Sequence, residues 1–131
     1  MCSSDLDMQR DFTYIDDIVE GVVRVLDKIP APETSFDPVN PDPAISNAPY
    51  RLYNIGNHQP VGLLAFIATL ERAVGEKAIT NLLPIQAGDV PTTFADTHRL
   101  LALIDFAPHT PLAEGMARFV EWYREHVGPP V

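Results

Sequence analysis

The sequence predicts a mixed α/β fold. Four stretches carry apolar residues at helical spacing between capping and breaking residues, and short runs rich in β-branched and aromatic residues lie between them. The chain has 131 residues, is 46% hydrophobic and has a mean hydropathy near zero. Such a chain is long enough to form one domain around its own core, and its composition argues against disorder.

The first predicted elements are a strand near 12–15 and a helix over 17–28. Phe12, Tyr14 and Ile15 are aromatic or β-branched, as strand residues often are. Asp17 and Glu20 then have the spacing of a capping box, and Pro30 cannot continue a helix. The adjacent carboxylates of residues 16 and 17 are interpreted as capping residues, because neighbouring side chains at a helix start point in different directions.

Residues 30–49 are predicted to form a long loop. The segment contains six prolines among Asn, Asp and Ser, without any apolar period. A surface excursion is the simple interpretation, although loops of this length are often functional.

A strand is predicted near 50–55, where the chain alternates before a Gly-Asn turn signal. The helix predicted over 62–74 has an apolar stripe, and Gly75 stands at the position of a C-cap glycine. A further strand is predicted near 79–85, and the residues from Gln86 to Pro91 break the pattern.

Two more helices complete the prediction. Asp96 is a capping residue for a short helix over 96–104. Thr110 places a capping hydroxyl before Pro111, which suits the first position of a helix over 111–126. Gly128 and the prolines that follow it end this helix.

Charge and composition exclude several functions. With 18 acidic against 9 basic residues the net charge is −9, so the chain has no basic stripe for nucleic acid. No apolar run reaches the roughly 18–20 residues that span a bilayer, and the N-terminus has no signal-peptide pattern, so no membrane partner is expected. One cysteine cannot form an internal disulfide, which favours the cytoplasm.

No metal site is expected from the histidines. The four histidines have none of the short spacings of metal ligands and are interpreted as surface or packing residues.

Two short segments contain candidate binding residues. Arg10 precedes a short strand that leads into a capped helix, and a guanidinium can hold a phosphate through two hydrogen bonds. In the segment from Gln86 to Asp89, Gly88 lets the backbone approach a ligand, and the carboxylate can accept hydrogen bonds from a ribose diol. Both segments also have structural explanations, because Arg-Asp pairs and Gly-Asp turns are common.

Five segments in order carry a family resemblance that covers about residues 8–127. They are RDFTYIDDIVEGVVRVLDKIP, APYRLYNIGN, LERAVGEKA, QAGDVPTTFAD and TPLAEGMARFVEWYREH. Together they resemble the C-terminal third of the nucleotide-sugar epimerases, which form part of the NAD-dependent epimerase/dehydratase family of the extended short-chain dehydrogenase/reductase superfamily. The UDP-glucuronate 4-epimerases are the most similar branch.

The resemblance implies roles for three residues. Arg10 would contact the diphosphate of a UDP-sugar, and Asp89 would contact the uridine ribose. Gln86 stands where UDP-galactose epimerases have an arginine, which favours the glucuronate branch. Ala87 replaces a proline that is frequent in that branch and is expected to loosen the turn.

The resemblance also implies C4 epimerisation with NAD and a tyrosine base, and the parts for this reaction belong to the family's N-terminal domain. This chain has no GxGxxG or GxxGxxG, and no tyrosine is followed four residues later by lysine. It is therefore expected to have no catalytic and no cofactor-binding residue, to bind no NAD alone and to be inactive alone. The family dimerises largely through its N-terminal half, so the oligomeric state stays open.

The expected organisation is a leader over 1–7, with a non-native junction as an alternative origin, and a C-terminal nucleotide-sugar-binding portion over 8–131. The NAD-binding Rossmann half is expected to be absent and to be the natural partner. Two other hypotheses remain: a part of another nucleotide-sugar epimerase or dehydratase, or a non-enzymatic interaction module derived from the fold. An exposed apolar face would suit either a part of an enzyme or such a module.

Overall fold

The computed structural model describes residues 8–81, 83 and 87–128. Its elements confirm the mixed α/β class and occur in the following order: β1 (Gln9–Asp11), α1 (Ile15–Val25), β2 (Pro60–Gly62), α2 (Leu63–Val74), β3 (Thr92–Thr93), α3 (His98–Ile104) and α4 (Leu112–His126). Each predicted helix corresponds to an observed one, and no helix end differs from the prediction by more than three residues.

The sheet has three short strands in the order β2-β1-β3. β1 pairs antiparallel with β2, so that Arg10 lies opposite Val61. It pairs parallel with β3, so that Arg10 lies beside Thr93. The central strand therefore joins two segments that are 30 residues apart in the sequence, from Gly62 to Thr92.

The strands predicted near 12–15 and 50–55 were wrong in position. Residues 12–14 connect β1 to α1, because the aromatic side chains there pack against helices: the ring of Phe12 stacks on Phe66 with centroids 4.2 Å apart. Residues 50–55 form no strand, and Arg51 alone makes an isolated bridge with Ile45. The strand predicted near 79–85 falls partly outside the described residues, and residues 79–81 and 83 belong to no strand.

The prediction for the start of α1 was also wrong. The helix begins at Ile15, its N-cap is Tyr14, and no side chain caps it. Asp17 is buried and accepts hydrogen bonds from the amides of His109 and Thr110 instead. Likewise, Pro111 is the N-cap of α4, and the Thr110 hydroxyl caps nothing there.

Other boundary residues behave as predicted. Gly75 ends α2 in the left-handed conformation, with φ 84°. The carboxylate of Asp96 accepts a hydrogen bond from the His98 amide at the start of α3, at 3.1 Å, although the N-cap residue is Thr97. The loop over 30–49 is confirmed, and Glu33 and Asp42 anchor it through ion pairs with Arg51 and Arg99.

The described residues bury few large apolar side chains. α2 packs against α4, while Leu100, Ile104 and Val120 form the buried apolar core. Many other large apolar side chains face solvent, several of them on α1. None of the helices in the described part of the chain combines the length and the apolarity that crossing a bilayer requires.

Candidate functional site

Arg10 lies on the central strand and reaches across the sheet edge to the segment before β3. Its Nη1 donates hydrogen bonds to the carbonyl oxygens of Val90 at 2.9 Å, Pro91 at 3.3 Å and Gln9 at 2.9 Å. Among the described residues, its Nε and Nη2 have no hydrogen-bond partner. A guanidinium has five N–H donors in a planar fork, so donors remain for an anion.

The segment that Arg10 contacts follows directly after Asp89. The Asp89 carboxylate is exposed, and Gly88 before it is in the left-handed conformation with φ 99°, which glycine adopts without strain. The amide of Gln9 also donates to Pro91 O at 2.8 Å. The parallel pairing of β1 with β3 thus brings the surroundings of Arg10 and Asp89 together, while Gln86 lies outside the described residues.

Asp11 is a structural centre of this region that the sequence analysis did not identify. Its Oδ2 accepts hydrogen bonds from the amides of His58 at 3.0 Å and Ala95 at 3.5 Å, and its Oδ1 accepts one from Gln59 at 3.2 Å. One carboxylate therefore holds the segment that enters β2 and the segment that leaves β3. The only signal in the sequence was its position next to Arg10.

The chain is tightly packed around Asp11. A Cβ atom on Gly56 would lie 2.6 Å from the Ala95 Cβ and 2.9 Å from Asp11 Oδ2, so this position has no room for a side chain. His58 is held with φ 56°, an uncommon conformation for a residue with a side chain, and its ring Nδ1 lies 2.8 Å from Ala95 O. Thr13 Oγ1 accepts the Asn57 amide at 3.1 Å.

Two histidines come together beside this junction. The rings of His58 and His98 lie 6.1 Å apart, and His98 Nδ1 lies 2.7 Å from Asp96 Oδ1. The hydrogen bond from the His98 side chain lowers the pKa of Asp96, and the His98 amide adds to this effect. In the described ranges, no cluster of three or more His, Cys, Asp or Glu side chains could hold a metal ion.

α1 presents an apolar stripe to solvent. Val19 and Leu26 are 52% and 72% exposed. The opposite face of the helix carries Asp17 and Gly21, which are buried. The other members of the stripe follow the helical spacing and are Ile15, Val22, Val23 and Ile29, of which Ile29, like the C-cap residue Leu26, lies beyond the helix end. We call this set the α1 stripe.

Apolar grooves lie at the two ends of the α1 stripe, and stripe residues contribute to both. One groove, of about 360 Å³, lies at the start of α1 between Tyr14, Phe66 and Phe119. Another, of about 570 Å³, lies beside the end of α1 and is lined by Leu52 and Leu100. Since monomeric proteins rarely expose large contiguous apolar patches, this surface is typical of one that another polypeptide covers.

Several curated proteins are similar to nearly the whole chain. The "Probable UDP-glucuronate 4-epimerase" of Rhizobium meliloti (strain 1021) is 49% identical over 120 residues, which are 91% of this chain and 35% of that protein. "Protein CapI" of Staphylococcus aureus is 44% identical over 91% of this chain and 36% of its own length. "UDP-glucuronate 4-epimerase 6" of Arabidopsis thaliana is 37% identical over 93% of this chain and 26% of its own length. No family model matches the sequence.

Solved structures share the fold. The UDP-glucuronic acid 4-epimerase of Bacillus cereus, crystallised with UDP-glucuronic acid and NAD, superposes with a TM-score of 0.69 at 27% identity, covering 95% of this chain and 34% of that one. MoeE5, in complex with UDP-glucuronic acid and NAD, gives a TM-score of 0.70 at 23% identity, covering 95% of this chain and 36% of its own. The matched part is a C-terminal portion of these proteins.

The relatives and the structural neighbours are consistent with one another. Its homologues include proteins named UDP-glucuronate 4-epimerase, and its structural neighbours include NAD-dependent UDP-sugar epimerases of the extended short-chain dehydrogenase/reductase superfamily. The chain spans about a third of the length of the first curated relatives that it matches.

Proposed function

We propose that this chain is the nucleotide-sugar-binding part of an NAD-dependent epimerase that converts UDP-glucuronate to UDP-galacturonate. The observation that carries the proposal is the contact of the Arg10 guanidinium with the segment that follows Asp89. It unites two candidate binding residues 79 positions apart in one region of the surface.

The chemistry of this region suits the UDP end of the substrate. Arg10 offers N–H donors to a diphosphate, and charge-assisted hydrogen bonds of this kind are among the strongest in proteins. Asp89, exposed beside a left-handed glycine, offers two carboxylate oxygens to the hydroxyls of a ribose. Gln86 is proposed to act at the same end of the substrate. The net charge of −9 does not oppose this, because local donors determine affinity in a cleft.

The described residues do not fit NAD. A dinucleotide site needs a glycine-rich turn between a strand and a helix of a parallel βαβ unit. Here the turn from β1 to α1 is Phe12-Thr13-Tyr14, and α2 follows an antiparallel strand directly. We therefore propose that this chain alone binds no NAD and catalyses no epimerisation, and that both capacities belong to a separate NAD-binding half.

The α1 stripe supports the same proposal. A helix whose buried face carries Asp17 and Gly21, and whose exposed face carries valine, leucine and isoleucine, has its apolar side turned away from its own core. We propose that the NAD-binding half covers this stripe, and that residues 8–131 form the nucleotide-sugar-binding portion.

One alternative also has an observation in its favour. The same stripe would serve a non-enzymatic module that binds an unrelated protein. Another epimerase or dehydratase of the superfamily is the other alternative, and Gln86 favours the glucuronate branch over it.

A chimera tests the proposal. Residues 8–127 replace the matching third of the Rhizobium meliloti relative, and UDP-glucuronate binding and turnover are measured by calorimetry and an epimerase assay. Arg10→Ala should weaken binding by about 1.5–3 kcal/mol, the value of a hydrogen bond to a charged group. Arg72→Ala, on α2, is the control and should leave binding unchanged. Equal binding by wild type and Arg10→Ala would remove Arg10 from the site, and turnover by the purified 131-residue chain would contradict its proposed inactivity.

A further inference from the structure

The position of Asp11 on the central strand points to a role for its carboxylate beyond the local fold. Successive side chains of a strand point to opposite faces, so Asp11 lies on the face opposite Arg10. On that face it is engaged by three backbone amides, those of His58, Gln59 and Ala95.

The backbone pairing of β1 with β2 ends at Asp11, and beyond it the Asp11 carboxylate forms the hydrogen bonds. The last pair between β1 and β2 is Asp11 with Pro60, and proline has no amide hydrogen to donate. The two amides before Pro60, at residues 58 and 59, donate to the Asp11 side chain instead. The carboxylate thus continues the connection between β1 and the segment entering β2.

The Asp11 carboxylate does the same for β3. That strand has two residues, both exposed, and its own pairing with β1 is correspondingly short. It is held before its start by the bonds from Gln9 N and Arg10 Nη1 to residues 90 and 91, and after its end by the Ala95 amide on Asp11. The register of β3, and with it the place of the loop that contains Asp89, depends on both attachments.

We infer that Asp11 is a positioning residue for the nucleotide-sugar site: it holds β3 in register with β1 and so keeps the Asp89 loop within reach of the Arg10 guanidinium. This inference rests on the proposed function. In this role Asp11 acts through the three backbone amides that its oxygens accept, not through contact with the substrate.

The test uses the ¹⁵N-labelled 131-residue chain with UDP as the probe. UDP is titrated in NMR spectra, and hydrogen exchange is followed at the Gln9 amide, whose acceptor is Pro91 O across the β1–β3 pair. Asp11→Asn removes the charge and one strong acceptor. It should raise the UDP dissociation constant about tenfold, equivalent to about 1.4 kcal/mol, and should accelerate exchange at Gln9 by a similar factor.

Two further variants separate positioning from general stability. Gly56→Ala disturbs the same junction from another side, since its Cβ would lie 2.9 Å from Asp11 Oδ2, and it should also weaken UDP binding. Asp17→Asn is the matched control: it alters another buried carboxylate that accepts two backbone amides, but these belong to the segment before α4 and not to the β3 region. It should lower stability without changing the UDP affinity of the folded chain.

The outcomes distinguish the two proposals. If wild type binds UDP and Asp11→Asn binds it equally well, the positioning role is wrong and the proposed function stands. If wild type binds no UDP, the proposed function fails for this chain, and the exchange rate at Gln9 alone decides whether Asp11 holds β3. An unchanged rate in Asp11→Asn would then overturn the inference.

Discussion

The carboxylate of Asp17, in the first turn of α1, accepts a hydrogen bond of 2.9 Å from the backbone amide of Thr110, just before α4 begins. The neighbouring amide of His109 donates to the same oxygen at 3.2 Å. Asp17 is 6% exposed, so this ion is stabilised by the backbone of a segment 93 residues away. The Asp17–Thr110 hydrogen bond therefore connects α1 with the start of α4.

Asp17→Ala should destabilise the chain by about 1–3 kcal/mol, because buried backbone amides would lose their acceptor. Urea denaturation followed by circular dichroism measures this change. Asp16→Ala is the matched control, because the Asp16 carboxylate is exposed and lies 3.6 Å from Arg118 in a surface ion pair. This substitution should change the free energy of unfolding by no more than about 0.5 kcal/mol. Similar losses in both variants would contradict the role of Asp17.

The same carboxylate should make stability depend on pH in the acid range. Burial raises the pKa of Asp17, but the hydrogen bonds from Thr110 and His109 outweigh burial, and the pKa is lowered from its ordinary value of 3.8. A lowered folded-state pKa gives stability that is complete above about pH 5 and is lost as the pH falls through the folded-state value.

Asp17→Asn should therefore lose less stability than wild type between about pH 5 and pH 2.5, because the variant has no carboxylate at this position to protonate. Urea titrations at a series of pH values give the free energy of unfolding of each protein as a function of pH. The other carboxylates with a lowered pKa, among them Glu33, Asp42 and Glu71, are common to both proteins and cancel in the comparison. Parallel stability curves would show that Asp17 titrates alike in the folded and unfolded chains.

Gly21→Ala should stabilise the chain by about 0.5–1 kcal/mol, because glycine in a helix interior is less favourable than alanine. A Cβ there would meet Ile55 at 3.4 Å and Phe106 at 3.8 Å, which are ordinary contacts. Gly115→Ala, in the interior of α4, is the comparison. Its Cβ would lie 3.0 Å from the Tyr14 ring, so it should gain less or lose stability. Thermal unfolding of both variants checks the order.

The helices could be predicted from the sequence, because their apolar periodicity extends over many residues. α2 and α4 agree with the prediction within one residue at each end. The ends of α1 were misplaced by two to three residues. Asp17 and Glu20 have the spacing of a capping box, but the Asp17 carboxylate binds the backbone before α4 and does not cap α1. Local spacing cannot show where a side chain finds its partner.

The strands and the candidate site illustrate the limit of sequence reasoning. Strands of two or three residues carry no periodicity, and what defines them is pairing between distant segments. Arg10 and Asp89 could be selected by residue type and by family resemblance, but their common location follows from the parallel pairing of β1 with β3. The role of Asp11 could not be predicted from its neighbour Arg10, because the three amides that bind its carboxylate are 47 to 84 residues away.

The α1 stripe provides the last prediction. Leu26 is 72% exposed, so Leu26→Lys should change the stability of the 131-residue chain by no more than about 0.5 kcal/mol. In the chimera with the NAD-binding half of the Rhizobium meliloti relative, the same substitution should instead lower the melting temperature and epimerase activity, because a lysine would be buried without a partner.

Leu64→Lys is the control for Leu26→Lys, since Leu64 is 53% exposed on α2 and lies outside the stripe. Differential scanning fluorimetry gives the melting temperature of both variants, in the chain and in the chimera, for comparison with the unsubstituted proteins. A chimera that tolerates Leu26→Lys as well as Leu64→Lys would show that the NAD-binding half does not cover the stripe. The non-enzymatic module would then become the better explanation of this surface, because large apolar patches on soluble proteins normally have an occupant.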